Sequence, residues 1–91
     1  TRAHEVLQLK YKLLNENLKR RINDKIRRRI YQERALISYE LDDYARMIQC
    51  VKEGRDLYPD IDFHKRVKRA MILGETFTKI YKKLRFNVRI C

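Results

Sequence analysis

The chain has 91 residues, 44% of them hydrophobic, with 23 Lys and Arg against 12 Asp and Glu for a formal charge of +11. That length supports one domain, residues 1–91, and leaves it marginal alone, because a chain this small buries only somewhat more than about 60% of its unfolded surface. The hydrophobic content excludes a disordered chain, no run of about 18 apolar residues exists to span a membrane, and Cys50 and Cys91 do not make a disulfide framework.

The charge is uneven: residues 1–34 carry +7, residues 35–60 carry −3 and residues 61–91 carry +7. An excess of this kind attracts polyanions. Thr1 stands where Met would open a complete chain, so a fragment of a longer protein is expected. With no secretory signal pattern and no disulfide framework, the expected setting is an intracellular, reducing compartment, nucleus and cytoplasm being equally compatible. Cys91 is itself the last residue, so the prenylation pattern is not met.

Residues 1–53 contain neither Gly nor Pro. One helix of that length would run about 80 Å, so the chain must break. Residues 15–17, 23–24 and 31–38 hold side chains that compete for backbone hydrogen bonds. The change of apolar pattern at residues 31–35 makes that the preferred break. The first helix is then long and carries a narrow seam of Leu7, Tyr11, Leu14, Leu18, Ile22, Ile26 and Ile30. Its stretch Leu14, Leu18, Ile22, Ile26 and Ile30 offers a contact to a second copy, as a homodimer, or to a partner helix. Around the seam runs Lys19-Arg20-Arg21-Ile22-Asn23-Asp24-Lys25-Ile26-Arg27-Arg28-Arg29, with seven cations and one anion.

The opening Val6-Leu7-Gln8-Leu9-Lys10-Tyr11-Lys12-Leu13-Leu14 is similar to that of the small mitochondrial LYR-motif proteins, which are basic and helical. The likeness covers about ten residues and lacks the defining Leu-Tyr-Arg, since Lys10 and then Tyr11-Lys12 follow Leu9. It implies no more than an assembly adaptor.

A second helix is expected over residues 35–53, with Ile37, Leu41, Tyr44, Ala45, Ile48 and Val51 on one face and Gly54 at its C′ position. Asp60 is placed to cap a third helix carrying Phe63, Val67, Ala70 and Met71, which Gly74 closes. A fourth helix starts at Glu75 or Thr76 and uses Phe77, Ile80, Tyr81 and Leu84. Residues 86–90 alternate at period two over too short a span to decide between strand and helix. The expected fold is therefore all-α, a small bundle of three or four helices with a long Arg-rich first helix. Its core centres on Ile37, Leu41, Tyr44, Ile48, Val51, Phe63, Val67, Met71, Phe77, Ile80 and Leu84.

The basic positions carry the functional expectation. On the first helix they are Lys19, Arg20, Arg21, Lys25, Arg27, Arg28 and Arg29, with Arg20, Arg21, Arg27 and Arg28 on the arc opposite the isoleucines. On the third they are Lys65, Arg66, Lys68 and Arg69, and on the fourth Lys79, Lys82, Lys83 and Arg85. Arg suits phosphate because its planar fork holds two oxygens. These residues predict a nucleic-acid-binding domain that contacts duplex or structured DNA or RNA mainly through phosphates. DNA is slightly favoured, because helices enter its major groove more readily than that of RNA.

Residues 65–85 can be aligned to helix-turn-helix grammar with Lys79, Lys82 and Lys83 as readers, although Arg69 and Glu75 fall where apolar residues belong. Tyr11, Tyr44 and Tyr81 read as core, whereas Tyr31 and Tyr58 are open to stacking on a base. Glu40, Asp42 and Asp43 are expected to meet cations across the fold. His4 and His64 have no ligand spacing around them, and no nucleophile motif or Gly-rich phosphate loop is present, so no enzyme, metal or cofactor is expected. The alternative is a helical protein–protein interaction module of a larger replication, transcription or ribosome-associated assembly, with the seam as its partner stripe. Anionic membrane binding would require a large apolar face exposed beside the cations.

Overall fold

A computed structural model describes the backbone of residues 2–90 and the side chains of residues 2–84. The described chain is all-helical: α1 (Arg2–Leu18), α2 (Asp24–Glu40), α3 (Tyr44–Leu57) and α4 (Lys65–Ile90). The pair α2–α3 is the hub, α1 packs on α2, and α4 lies against α2 and α3.

The first break falls at residues 19–23, inside the basic run, and not at residues 31–35. Consequently the first helix ends before the arginines of that run. Asn23 is extended (φ −78°, ψ 167°), and its side chain accepts from the Ile26 amide at 2.9 Å. This is an N-cap, worth about 1 kcal/mol. The apolar pattern does change at Tyr31, but because α2 changes neighbours. Ile26 and Ile30 face α1 across a shallow groove shared with Leu14. Tyr31, Ala35 and Ser38 are buried on the side that meets α3.

The second break replaces the expected continuous helix over residues 35–53. Asp42 adopts φ 61°, and Asp43 caps α3 by accepting from the Arg46 amide at 3.1 Å. Aspartate enters the left-handed region more readily than most residues. Gly54 does not end a helix. It sits buried within α3, and a Cβ there would come within 3.1 Å of the Phe63 ring.

Asp60 does not cap the third helix. Residues 61–64 lie outside any helix, with Ile61 and Phe63 buried and Asp62 and His64 exposed. This period-two alternation seats two large side chains under the hub. α4 begins at Lys65, where His64 Nδ1 accepts from the Arg66 amide at 3.1 Å. Gly74 interrupts α4 as expected, at φ 84° and ψ 172°. The Ala70 carbonyl just before this kink accepts from the hydroxyls of Thr78 at 3.3 Å and Tyr44 at 3.5 Å. α4 then continues to Ile90, so the alternation of residues 86–90 does not mark a strand.

Met47, Val51, Val67, Cys50 and Ser38 are fully buried at the centre. Ile37 and Phe63 join them as expected, and Leu41, Tyr44, Ile48 and Met71 are partly buried against the core. Phe77, Ile80 and Leu84 are not core: they are 65%, 48% and 59% exposed. No described helix is long and apolar enough to cross a membrane.

Candidate nucleic-acid interface

The expected single basic ridge is divided by the breaks. Lys19, Arg20 and Arg21 fall in the turn between α1 and α2, with the Lys19 and Arg20 amides bonded back to Glu16 and Asn17 at 3.2 and 3.1 Å. Lys25, Arg27, Arg28 and Arg29 follow on the first turns of α2. At 100° per residue Lys25 and Arg29 share one edge of the helix, whereas Arg27 lies on nearly the opposite side. Lys65, Arg66, Lys68 and Arg69 are on the proximal part of α4, and Lys79, Lys82 and Lys83 lie beyond its kink. Arg85 lies outside the residues whose side chains are described, as does Cys91. Lys82 reaches the far end of α2, where it pairs with Asp42 at 2.6 Å. The 17 residues of α2 set about 25 Å between that contact and the α1–α2 turn.

Carboxylates divide the cations further. Lys19, Arg28, Arg29, Arg66, Lys68, Lys79 and Lys82 meet Glu16, Asp60, Glu33, Glu40, Asp62, Glu75 and Asp42 respectively, at 2.6 to 3.8 Å. Arg69 stacks over Tyr81 at 4.9 Å and donates to its hydroxyl at 2.7 Å. Among the described residues no carboxylate pairs with Arg20, Arg21, Lys25, Arg27, Lys65 or Lys83. Four of these, Arg20, Arg21, Lys25 and Arg27, fall within eight residues of the sequence, with Lys25 and Arg27 on different sides of α2. They surround the turn and the N-terminus of α2, whose dipole adds to their potential. Exposed ion pairs are worth only about 0–1 kcal/mol, so the paired cations remain able to exchange partners.

Glu40 and Asp42 meet cations across the fold as expected, whereas Asp43 meets one on the helix it caps. Glu40 accepts from Arg66 at 2.9 Å, Asp42 holds Lys82, and Asp43 caps α3 while meeting Arg46 at 3.3 Å. Lys68 beside Asp62 holds that carboxyl below its ordinary value.

The tyrosines are structural. Tyr31 and Tyr58 are each only 9% exposed, so neither presents a face to a base. Tyr58 instead carries Arg28 over its ring at 4.7 Å and donates to Asp24 at 3.0 Å. Burial, with the bond to Asp24, raises its pKa. Burial also raises those of Tyr11 and Tyr39. Tyr11 is buried as expected and ties α1 to the hub: its hydroxyl lies 3.5 Å from Cys50 Sγ and accepts from Arg34 at 3.2 Å. Tyr81 is half-buried under Arg69. Sequence reasoning passed over Arg34, whose guanidinium lies over both the Tyr11 and Tyr31 rings and 3.6 Å from Glu53. An Arg three residues after Tyr31, on the same helical side, was the available signal.

Two further expectations are corrected. The helix-turn-helix alignment does not hold, because one residue, Gly74, replaces the turn. Of its three readers, Lys79 is tied to Glu75 and Lys82 to Asp42 and the Tyr39 carbonyl, leaving Lys83 alone. The seam from Leu14 to Ile30 is not an outward stripe. Leu14, Leu18 and Ile22 are half-buried and Ile30 is buried, closing α1 on α2, and only Ile26 is as much as about half exposed. Comparisons with protein families, curated proteins and solved structures return no match to this chain.

Proposed function

We propose that this domain binds duplex nucleic acid through phosphates at the α1–α2 corner, without catalysis and without reading bases. The observation that carries this reading is the group Arg20, Arg21, Lys25 and Arg27, close in sequence, unpaired by carboxylates among the described residues and set around a helix N-terminus in a chain of charge +11. Phosphate contacts of this kind position a protein on a duplex and carry no sequence information. Contact through phosphates alone does not use the groove-entry argument that slightly favours DNA, so both duplexes are expected ligands. A second copy bringing another corner would add a second set of contacts, through a face other than the internal seam.

The test is the double substitution Arg20→Ala with Arg21→Ala, compared with Lys79→Ala and Lys83→Ala, in a duplex-binding titration with circular dichroism as the folding check. Loss at the corner alone, with folding intact, supports the reading. Equal loss from both pairs means that charge acts without a site.

The interaction-module reading gains one specific observation: the basic faces are discontinuous while apolar side chains stand exposed on α1 (Val6, Leu9, Leu13) and α4 (Phe77, Ile80, Leu84). Its expected stripe, the seam, is internal, so a partner would use one of these other faces.

A further inference from the structure

Beyond Gly74, α4 keeps a helical apolar pattern that its own fold does not cover. Phe77, Ile80 and Leu84 stand at i, i+3 and i+7, and each is about half or more exposed, at 65%, 48% and 59%. At 100° per residue they span an arc of about 60°. The opposite side of the same segment is already committed to the bundle. Thr78 is buried and bonded to the Ala70 carbonyl, and Lys82 holds Asp42 and lies over the Tyr39 ring at 3.8 Å. Docking therefore fixes which face points outward.

Cations border this stripe. Along one edge an open groove of about 540 Å³ is lined by Ile80, Lys79, Lys82, Lys83 and Asp42. Asp42 is occupied by Lys82, and Lys79 has only the exposed Glu75 on its own helix. Lys83 has no carboxylate partner among the described residues. On the other edge Arg69 lies over Tyr81.

We propose that this face of α4 seats an acidic amphipathic helix of a partner protein, with apolar side chains along Phe77, Ile80 and Leu84 and carboxylates on Lys79 and Lys83. Charge complementarity selects this occupant. A second copy would set lysine against lysine, which opposes docking. A bilayer surface calls for an apolar face of about 100° or more, whereas this stripe has the width of a single helix–helix seam. The site is separate from the α1–α2 corner and does not rest on the nucleic-acid reading.

The probe is a synthetic amphipathic peptide with Leu at a and d and Glu at e and g, labelled for fluorescence anisotropy. Its control carries Lys in place of Glu. The Glu peptide is expected to bind about tenfold or more tightly than the Lys peptide, a difference of about 1.4 kcal/mol. Ile80→Asp and Lys83→Ala are each expected to weaken it, with unchanged circular dichroism because both side chains are exposed. Arg20→Ala with Arg21→Ala should leave it unchanged. Equal binding of both peptides, insensitivity to Ile80→Asp, or loss through the corner substitutions overturns the proposal. So does a dimer in sedimentation that Ile80→Asp dissolves, or binding to phosphatidylserine vesicles that the Glu peptide fails to displace.

Discussion

Replacing Asn23 by Ala tests why this chain folds back where it does. The substitution removes the cap on the Ile26 amide, at a cost of about 1 kcal/mol. It also improves helix propensity in a stretch, residues 1–53, that has no Gly or Pro to stop a helix. The competing state is one continuous helix from α1 through α2. That state would strip Tyr11 from the core, along with the partly buried Leu7, Leu14 and Leu18 packed against it. Burial of a large apolar side chain is worth about 1.5–3 kcal/mol when complete, so even half-burial at these sites totals several kcal/mol. Apolar packing therefore outweighs the cap, and the turn survives. The expected result is a urea midpoint lowered by about 1 kcal/mol of stability, an unchanged m-value and an unchanged sedimentation coefficient. An elongated species that pairs through an exposed Leu14–Ile30 seam would refute this, and would mean that the cap holds the fold-back.

Asp42 offers a second comparison of magnitudes. Its φ of 61° favours Gly by up to about 1 kcal/mol, while its pair with Lys82, being exposed, contributes about 0–1 kcal/mol. Asp42→Gly should therefore stay within about 1 kcal/mol of the parent and Asp42→Asn should be the less stable of the two, read by thermal melts; a loss above about 2 kcal/mol for Asp42→Gly would assign the carboxylate a larger role. Alkaline titration tests the burial of Tyr11, Tyr39 and Tyr58, whose native pKa values are raised. Unfolded tyrosine ionises near pH 10, so their contribution to stability is fully present below about pH 10 and falls as pH rises toward the native values. Phenolate absorbance should show three tyrosines ionising later in the native protein than in denaturant; coincident curves would contradict their burial. Asp62→Asn should cost stability at neutral pH and lose its effect as acid protonates the depressed native carboxyl beside Lys68, a convergence that melts at descending pH would display.

The helical class and the kink at Gly74 were legible because propensity and a left-handed glycine leave clear marks. Asn23-Asp24 was among the visible candidate breaks, yet the pattern change at Tyr31 outweighed it. A change of apolar phase has two causes, a helix ending or a helix changing neighbours, and periodicity does not separate them. Asp42 and Asp43 read as compensating charge, and they do meet cations, but their work in the backbone turn went unread. Asp60 resembles a cap because Phe63 reads with Val67, Ala70 and Met71 as one helical face, although Phe63 lies before the helix begins at Lys65. Phe77, Ile80 and Leu84 show the same limit from the other side: amphipathic spacing reports a face that needs cover and says nothing of whether the cover belongs to the same chain. The candidate site was legible as a list of cations. Their division into separate patches depended on turns and on carboxylates distant in sequence, such as Asp60 for Arg28 and Asp42 for Lys82.

The most direct measurement of the corner proposal is the salt dependence of duplex binding by the unaltered domain, with DNA and RNA of equal length. Three or four phosphate contacts from Arg20, Arg21, Lys25 and Arg27 predict a slope of about −3 to −4 for log K against log salt on duplex DNA, with the same steep fall in affinity on duplex RNA. A slope near zero on both duplexes would contradict phosphate binding altogether, and a slope near −10 would contradict its confinement to the corner.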